Sequence, residues 1–117
     1  MTVRFTAVLA AFALALGVGG TAAATTKAHH ATTVKVTAKD YSFKLSEQTV
    51  KHGTITFMIK NDGHTSHDFA IAGHKSKIIS AGKSTSLTVT LKKGSYPYKC
   101  TVDSHAKLGM KGMLKVT

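Results

Sequence analysis

Cysteine occurs once in 117 residues, at Cys100. A single thiol closes no disulfide within its own chain, so no covalent cross-link holds this fold together. Arginine also occurs once, at Arg4, and the acids number five: Asp40, Glu47, Asp62, Asp68 and Asp103. The other 15 of the 16 basic side chains are lysines, a balance of 15 − 5 = +10 beyond Arg4. So basic a chain suits an acidic partner or an anionic surface. Nucleic acid is excluded on other grounds. The lysines are spread instead of clustered, no arginine past Arg4 can read a base bidentately, and no segment reads as a recognition helix. Helical periodicity is missing after the first two dozen residues, which removes bundles and other helical folds. Nor does any apolar run reach the roughly 20 residues that a membrane span needs.

What is present begins with a leader. Arg4 precedes FTAVLAAFALALGVGG, an uncharged apolar run, and Ala22 and Ala24 follow in a small-x-small cleavage pattern. This predicts a secretory signal peptide over 1–24. Removing 24 of the 117 residues leaves 93, enough for one domain with one core. The polar stretch TTKAHHATT reads as a flexible leader over 25–33, and the domain proper is expected over 34–117. Export, to the periplasm or out of the cell, sharpens the question of Cys100. An exposed free thiol oxidises there. Cys100 is therefore buried and inert, paired to another molecule, or bound to a metal.

Period-two alternation runs through the rest of the chain. Val34, Val36 and Ala38 alternate with Lys35, Thr37 and Lys39, and the parity then shifts to Tyr41 and Phe43, which places a bulge or break near Asp40. Ile55, Phe57 and Ile59 form a second apolar row, and Asn61-Asp62-Gly63 reads as a turn. His67, Phe69 and Ile71 share a parity, as do Leu87, Val89 and Leu91, then Tyr96, Tyr98 and Cys100, and finally Met110, Gly112, Leu114 and Val116. Six to eight short strands between Gly, Asn and Lys turns predict an all-β, antiparallel sandwich or barrel.

In that pattern Cys100 ends a strand, while Met110 and His67 each begin one, all on the core-facing parity. Three soft or borderline metal ligands could therefore converge at one pole, with His105 supplied by the loop between the last two strands. A thiolate and two imidazoles with a weak axial thioether make a trigonal blue-copper site. The thiolate binds copper strongly and offers a covalent route for an electron. Imidazole suits both Cu(I) and Cu(II), and a distant thioether favours the reduced ion.

NDGHTSHDFAI, followed some thirty residues later by SYPYKCTVDSHAKLGMKGMLKVT, resembles the small cupredoxins. The matching features are the Asn-x-Gly-x-x-x-His segment and the closing Cys-x4-His-x4-Met loop. The loop spacing is similar to that of rusticyanin and sulfocyanin types, and longer between Cys and His than in plastocyanins. The resemblance covers nearly the whole chain from Val34 to Thr117. It implies a Greek-key β-sandwich, one copper ion cycling between Cu(I) and Cu(II) on His67, Cys100, His105 and Met110, and one-electron transfer. Two departures stand out. Asp68 occupies a position where the family often has Asn tying the ligand segments together; a carboxylate only accepts hydrogen bonds, so support of the thiolate is expected from backbone N–H groups. Asp103-Ser104 stands where many relatives have Pro-Gly.

The remaining candidates read as bland. His64 lies within a turn, His52 and His74 beside turn glycines, and His29 and His30 in the leader. Met113 has the outward parity, and Tyr96 and Tyr98 are core aromatics. The expected function is an exported one-electron carrier, a monomer and not an enzyme, that meets acidic redox proteins and anionic membrane or envelope surfaces through its lysines. The alternative is a copper-delivery protein without electron traffic. A Cys100–His105 catalytic dyad lacks an orienting third group.

Overall fold

The structure, a computed structural model, describes residues 31–117. The predicted signal peptide and most of the leader lie outside the described residues. Among these, the chain forms nine strands: β1 (Thr32–Lys39), β2 (Ser42–Leu45), β3 (Thr49–Val50), β4 (Gly53–Asn61), β5 (Ala70–Ile71), β6 (His74–Lys75), β7 (Ser84–Leu91), β8 (Gly94–Lys99) and β9 (Lys111–Val116). A single 3-10 turn, His105–Leu108, precedes β9. The strands make two sheets, ordered β2-β1-β4-β7 and β3-β9-β8-β5-β6.

The apolar rows found by parity face each other across the space between the sheets. Within the first sheet Val34 and Val36 of β1 lie beside Phe57 and Ile59 of β4, and Ile55 lies beside Val89 of β7, all on its inner face. All are buried. From the second sheet come Tyr98, Leu114 and Val116. Phe69 is the hub: its ring centroid lies 4.9 Å from that of Phe57, 5.3 Å from Phe43 and 5.4 Å from Tyr98. On the outer face of the first sheet, Thr54 pairs with Thr90 and Thr56 with Thr88 through their hydroxyls, at 3.3 and 3.1 Å. Apolar inside and threonine or lysine outside is what period two produces when one face is wet.

Three expectations need correction. The sheets are mixed, not antiparallel throughout: β1 runs parallel to β4, and β3 parallel to β9. After β1 the chain crosses to the other sheet at β3 before re-entering beside β1 as β4, which is the long connection that a parallel pair requires. Alternation is the same for either direction, so the pattern does not distinguish them. The leader is also shorter than expected, because Thr32 and Thr33 already pair with Ile55 and Thr56. Tyr41, assigned to an inward parity, is 37% exposed. The turn after Lys39 carries it away from the core and over the pole where the candidate ligands meet.

Candidate metal centre

Each ligand candidate sits where a strand gives way to a loop. Cys100 follows β8, Met110 precedes β9, and His105 opens the 3-10 turn between them. His67 lies outside the named strands, but an isolated bridge fixes it: its N–H donates to the carbonyl of Ile79 at 3.1 Å, and the N–H of Ile79 donates back at 2.7 Å. Asn61 shapes the approach to His67. Its buried amide donates to the carbonyls of Thr65 and Ile79, at 2.8 and 2.7 Å, and its oxygen accepts the N–H of Gly63 at 2.9 Å. The Asn and the Gly of the motif thus serve to hold the loop that delivers the histidine.

The fold brings three of the four candidates into direct contact. Nδ1 of His67 and Nδ1 of His105 are 3.2 Å apart, and Sγ of Cys100 lies 4.0 and 3.7 Å from them. All three residues are buried, and their ligand atoms lie within 4.8 Å of one another. Met110 is fully buried beside them in sequence and backbone bonding, its N–H donating to the carbonyl of His105 at 3.2 Å.

The other nitrogen of His67 settles its tautomer. Nε2 is 2.7 Å from Oδ1 of Asp40. A carboxylate can only accept, so Nε2 carries a proton, and in the neutral ring Nδ1 presents its lone pair toward His105 and Cys100. The Asp40 carboxyl is held well below the usual carboxylate range, first by the backbone N–H of His64 and then, against the effect of burial, by His67 and Thr65. Burial pushes the Cys100 thiol up, while the backbone N–H groups of Asp68 and Val102 pull it the other way. The Asp68 carboxylate adds to the upward push.

Asp68 keeps the tying role by accepting instead of donating. It is buried, one oxygen accepts the N–H of Thr101 at 2.6 Å, and the other accepts the Thr101 hydroxyl. The segment after His67 is thereby bonded to the segment after Cys100.

A buried thiol and two imidazole nitrogens facing one another form a donor set suited to a single cation. Donor atoms separated by 3.2, 3.7 and 4.0 Å would let one ion among them be reached by all three. Soft sulfur, borderline nitrogen and a nearby thioether favour copper over magnesium or calcium, which take oxygen. The donor set fits one copper ion.

The bland candidates contribute no atom to the trio, although His64 Nδ1 lies 3.4 Å from Oδ2 of Asp40. His64 and His74 are exposed, and so is His52, whose Nδ1 lies 3.0 Å from the carbonyl of Thr117. Met113 is 54% exposed. Tyr98 is buried in the core, and the hydroxyl of half-buried Tyr96 donates to the carbonyl of Lys92 at 2.7 Å. The sequence reading missed Asp40 and Tyr41 as neighbours of the centre. Tyr41 packs its ring 4.8 Å from that of His105. The only local signal was the parity break that marks the turn they occupy.

A two-sheet β-sandwich with a Cys-His-His trio and a buried methionine at one pole defines the class of small copper-binding sandwich proteins. The sequence profile of the cupredoxin-like domain matches residues 7–116, and the chain belongs to that family. No curated protein matches the chain. Solved structures with the same fold include dithionite-reduced auracyanin from Roseiflexus castenholzii, 23% identical, covering 74% of this chain and 98% of its own, with a TM-score of 0.65. Auracyanin B is 21% identical over 74% of this chain and 89% of its own, with a TM-score of 0.66. Auracyanin A from Chloroflexus aurantiacus, described as a blue copper protein, is 23% identical over 73% and 98%, with a TM-score of 0.64. At these identities the likeness is one of fold.

Proposed function

We propose that this chain is an exported one-electron carrier whose single copper ion is held by Nδ1 of His67, Nδ1 of His105 and Sγ of Cys100, with Met110 as a weak fourth ligand. The observation that carries this reading is the buried trio of mutually facing donor atoms. Copper, when bound, supplies a Cu(I)/Cu(II) couple with a covalent thiolate bond. The protein's part is to keep the donors still. His67 is clamped by its bridge to Ile79 and by Asp40, and the Cys100 segment by Asp68. Ligands that barely move on a change of charge keep the reorganisation small.

The loop offers a place to exchange the electron. His105 is 7% exposed, and around it Leu108 is 61% exposed, with Lys107, Gly109 and Lys111 also at the surface. An apolar tip ringed by lysines suits brief docking of an acidic redox protein, with the charges speeding encounter. Delivery of copper fits less well, because donors this deeply buried release an ion slowly. A Cys100–His105 dyad fits poorly too: Sγ is buried, and its thiol is pushed up instead of activated.

The visible spectrum of the copper-loaded protein tests the reading. Intense blue or green absorption with reversible one-electron reduction is expected. A colourless protein that passes copper quickly to a chelator would establish delivery instead. Electron exchange with an acidic partner should slow as salt rises; a salt-independent rate would assign the lysines to solubility alone.

A further inference from the structure

His67 is fully buried, and the residue that meets its outer nitrogen comes from 27 positions earlier in the chain. Asp40 sits in the turn between β1 and β2, and its carboxylate is itself held. Oδ2 accepts the N–H of His64 at 2.7 Å, and Oδ1 accepts the Thr65 hydroxyl at 3.0 Å. Gly63 lies against the pair. A Cβ at that position would run into Oδ1 of Asp40 and would come within 2.8 Å of Nε2 of His67. Gly63 does not have the left-handed backbone that usually demands glycine, so the close approach of Asp40 and His67 is what excludes a side chain there. Among the described residues no carboxylate pairs with His105, whose ring packs on Tyr41 instead. The negative charge therefore stands behind one histidine only.

We propose that Asp40 is a positioning residue for the metal ion. It holds the His67 ring in the tautomer that leaves Nδ1 free, and its charge, felt through the imidazole, strengthens that ligand toward Cu(II) more than toward Cu(I). The reduction potential is lower as a result. This deepens the copper-carrier reading and rests on it.

Three variants of the full chain separate the contributions. Asp40→Asn keeps an oxygen that can accept from Nε2 but removes the charge. Asp40→Ala removes both, and Gly63→Ala keeps Asp40 while driving its carboxylate off the ring. The His67 tautomer is read by 15N NMR of the metal-free protein, and copper affinities and potential are read on the loaded protein. Wild type should show a single Nε2–H tautomer. Asp40→Asn should keep it and raise the potential. Asp40→Ala and Gly63→Ala should mix the tautomers and weaken Cu(II) binding about 10–100-fold, the usual effect of losing such an outer partner. Each tenfold loss not matched for Cu(I) raises the potential by about 59 mV. An unchanged tautomer and potential in both alanine variants would overturn the proposal. So would a loss of thermal stability with neither of those moving, which would mark Asp40 as a loop anchor. Failure of wild type to take up copper would sink the carrier reading, whereas the tautomer measurement would still report on Asp40.

Discussion

The backbone N–H of Cys100 donates to the carbonyl of Met110 at 3.1 Å. Together with the bond from the N–H of Met110 to the carbonyl of His105, this closes the last loop on itself. Three of the four candidate ligands are thus tied through main chain, whatever their side chains hold. Removing one side chain should change the metal chemistry before it changes the fold.

Cys100→Ser is the sharpest case. A hydroxyl is a poor substitute for a thiolate, and intense visible absorption requires copper–sulfur covalency. The variant should keep its β-rich far-UV circular dichroism and lose its colour. Retained colour would overturn the site assignment, since the chain has no second cysteine.

Met110 and Met113 separate in the same way. Met110 is fully buried, whereas Met113 is largely exposed on β9. A thioether at the axial position is a weak, long ligand that tunes potential more than affinity. Met110→Leu should keep copper and colour and raise the reduction potential. Met110→Gln should lower it, because a harder oxygen donor favours Cu(II). Met113→Leu should leave voltammetry unchanged; a large shift there with none from Met110→Leu would reverse the assignment.

Asp68 bonds the His67 segment to the Cys100 segment through both groups of Thr101. Hydrogen bonds to a charged group contribute about 1.5–3 kcal/mol. Asp68→Ala should cost about that much in urea denaturation of the metal-free protein. Asp68→Asn, which keeps one acceptor oxygen, should cost less. Equal losses from the two would mean that the charge, not the acceptor, is what matters.

Gly112 stands opposite Tyr98 across β8 and β9, and a Cβ there would meet the Tyr98 ring, with Cε2 at 2.8 Å. Tyr98 is wedged against Phe69 and Phe43 and has little room to retreat. Gly112→Ala should therefore destabilise the fold by about 1–3 kcal/mol, the usual cost of overpacking. Thermal melting would show it as a clear drop in Tm, and an unchanged Tm would mean that the ring moves aside freely.

Burial raises the thiol of Cys100 and the phenol of Tyr98 above their ordinary values. A group whose folded value is raised contributes stability that is complete below its unfolded pKa and lost as pH rises above it. With an unfolded thiol near about 8.5 and a phenol near about 10, the metal-free protein should hold its urea midpoint to about pH 8 and lose it in two stages above. Cys100→Ser should remove the earlier stage and Tyr98→Phe the later. The same fall in all three proteins would put the titration elsewhere.

Much of this molecule is local in its sequence. Alternation along Val34–Ala38, Ile55–Ile59 and Leu114–Val116 determines which side chains are buried, because successive residues of a strand point to opposite faces. The same rule places His67, Cys100 and Met110 on the inner side at strand ends, and the spacing of Cys100, His105 and Met110 puts all three on one short loop. Tertiary structure alone decided which strands are neighbours. Parity is blind to strand direction, so the parallel pairing of β1 with β4 could not be read from it. That pairing aligns Ala38 with Asn61. It sets the turn at Asp40 beside the loop of Gly63 and His67. Contact between Asp40 and His67, and the cover that Tyr41 gives His105, thus depend on residues far apart in the chain, and only the packing of two sheets brings them to one pole.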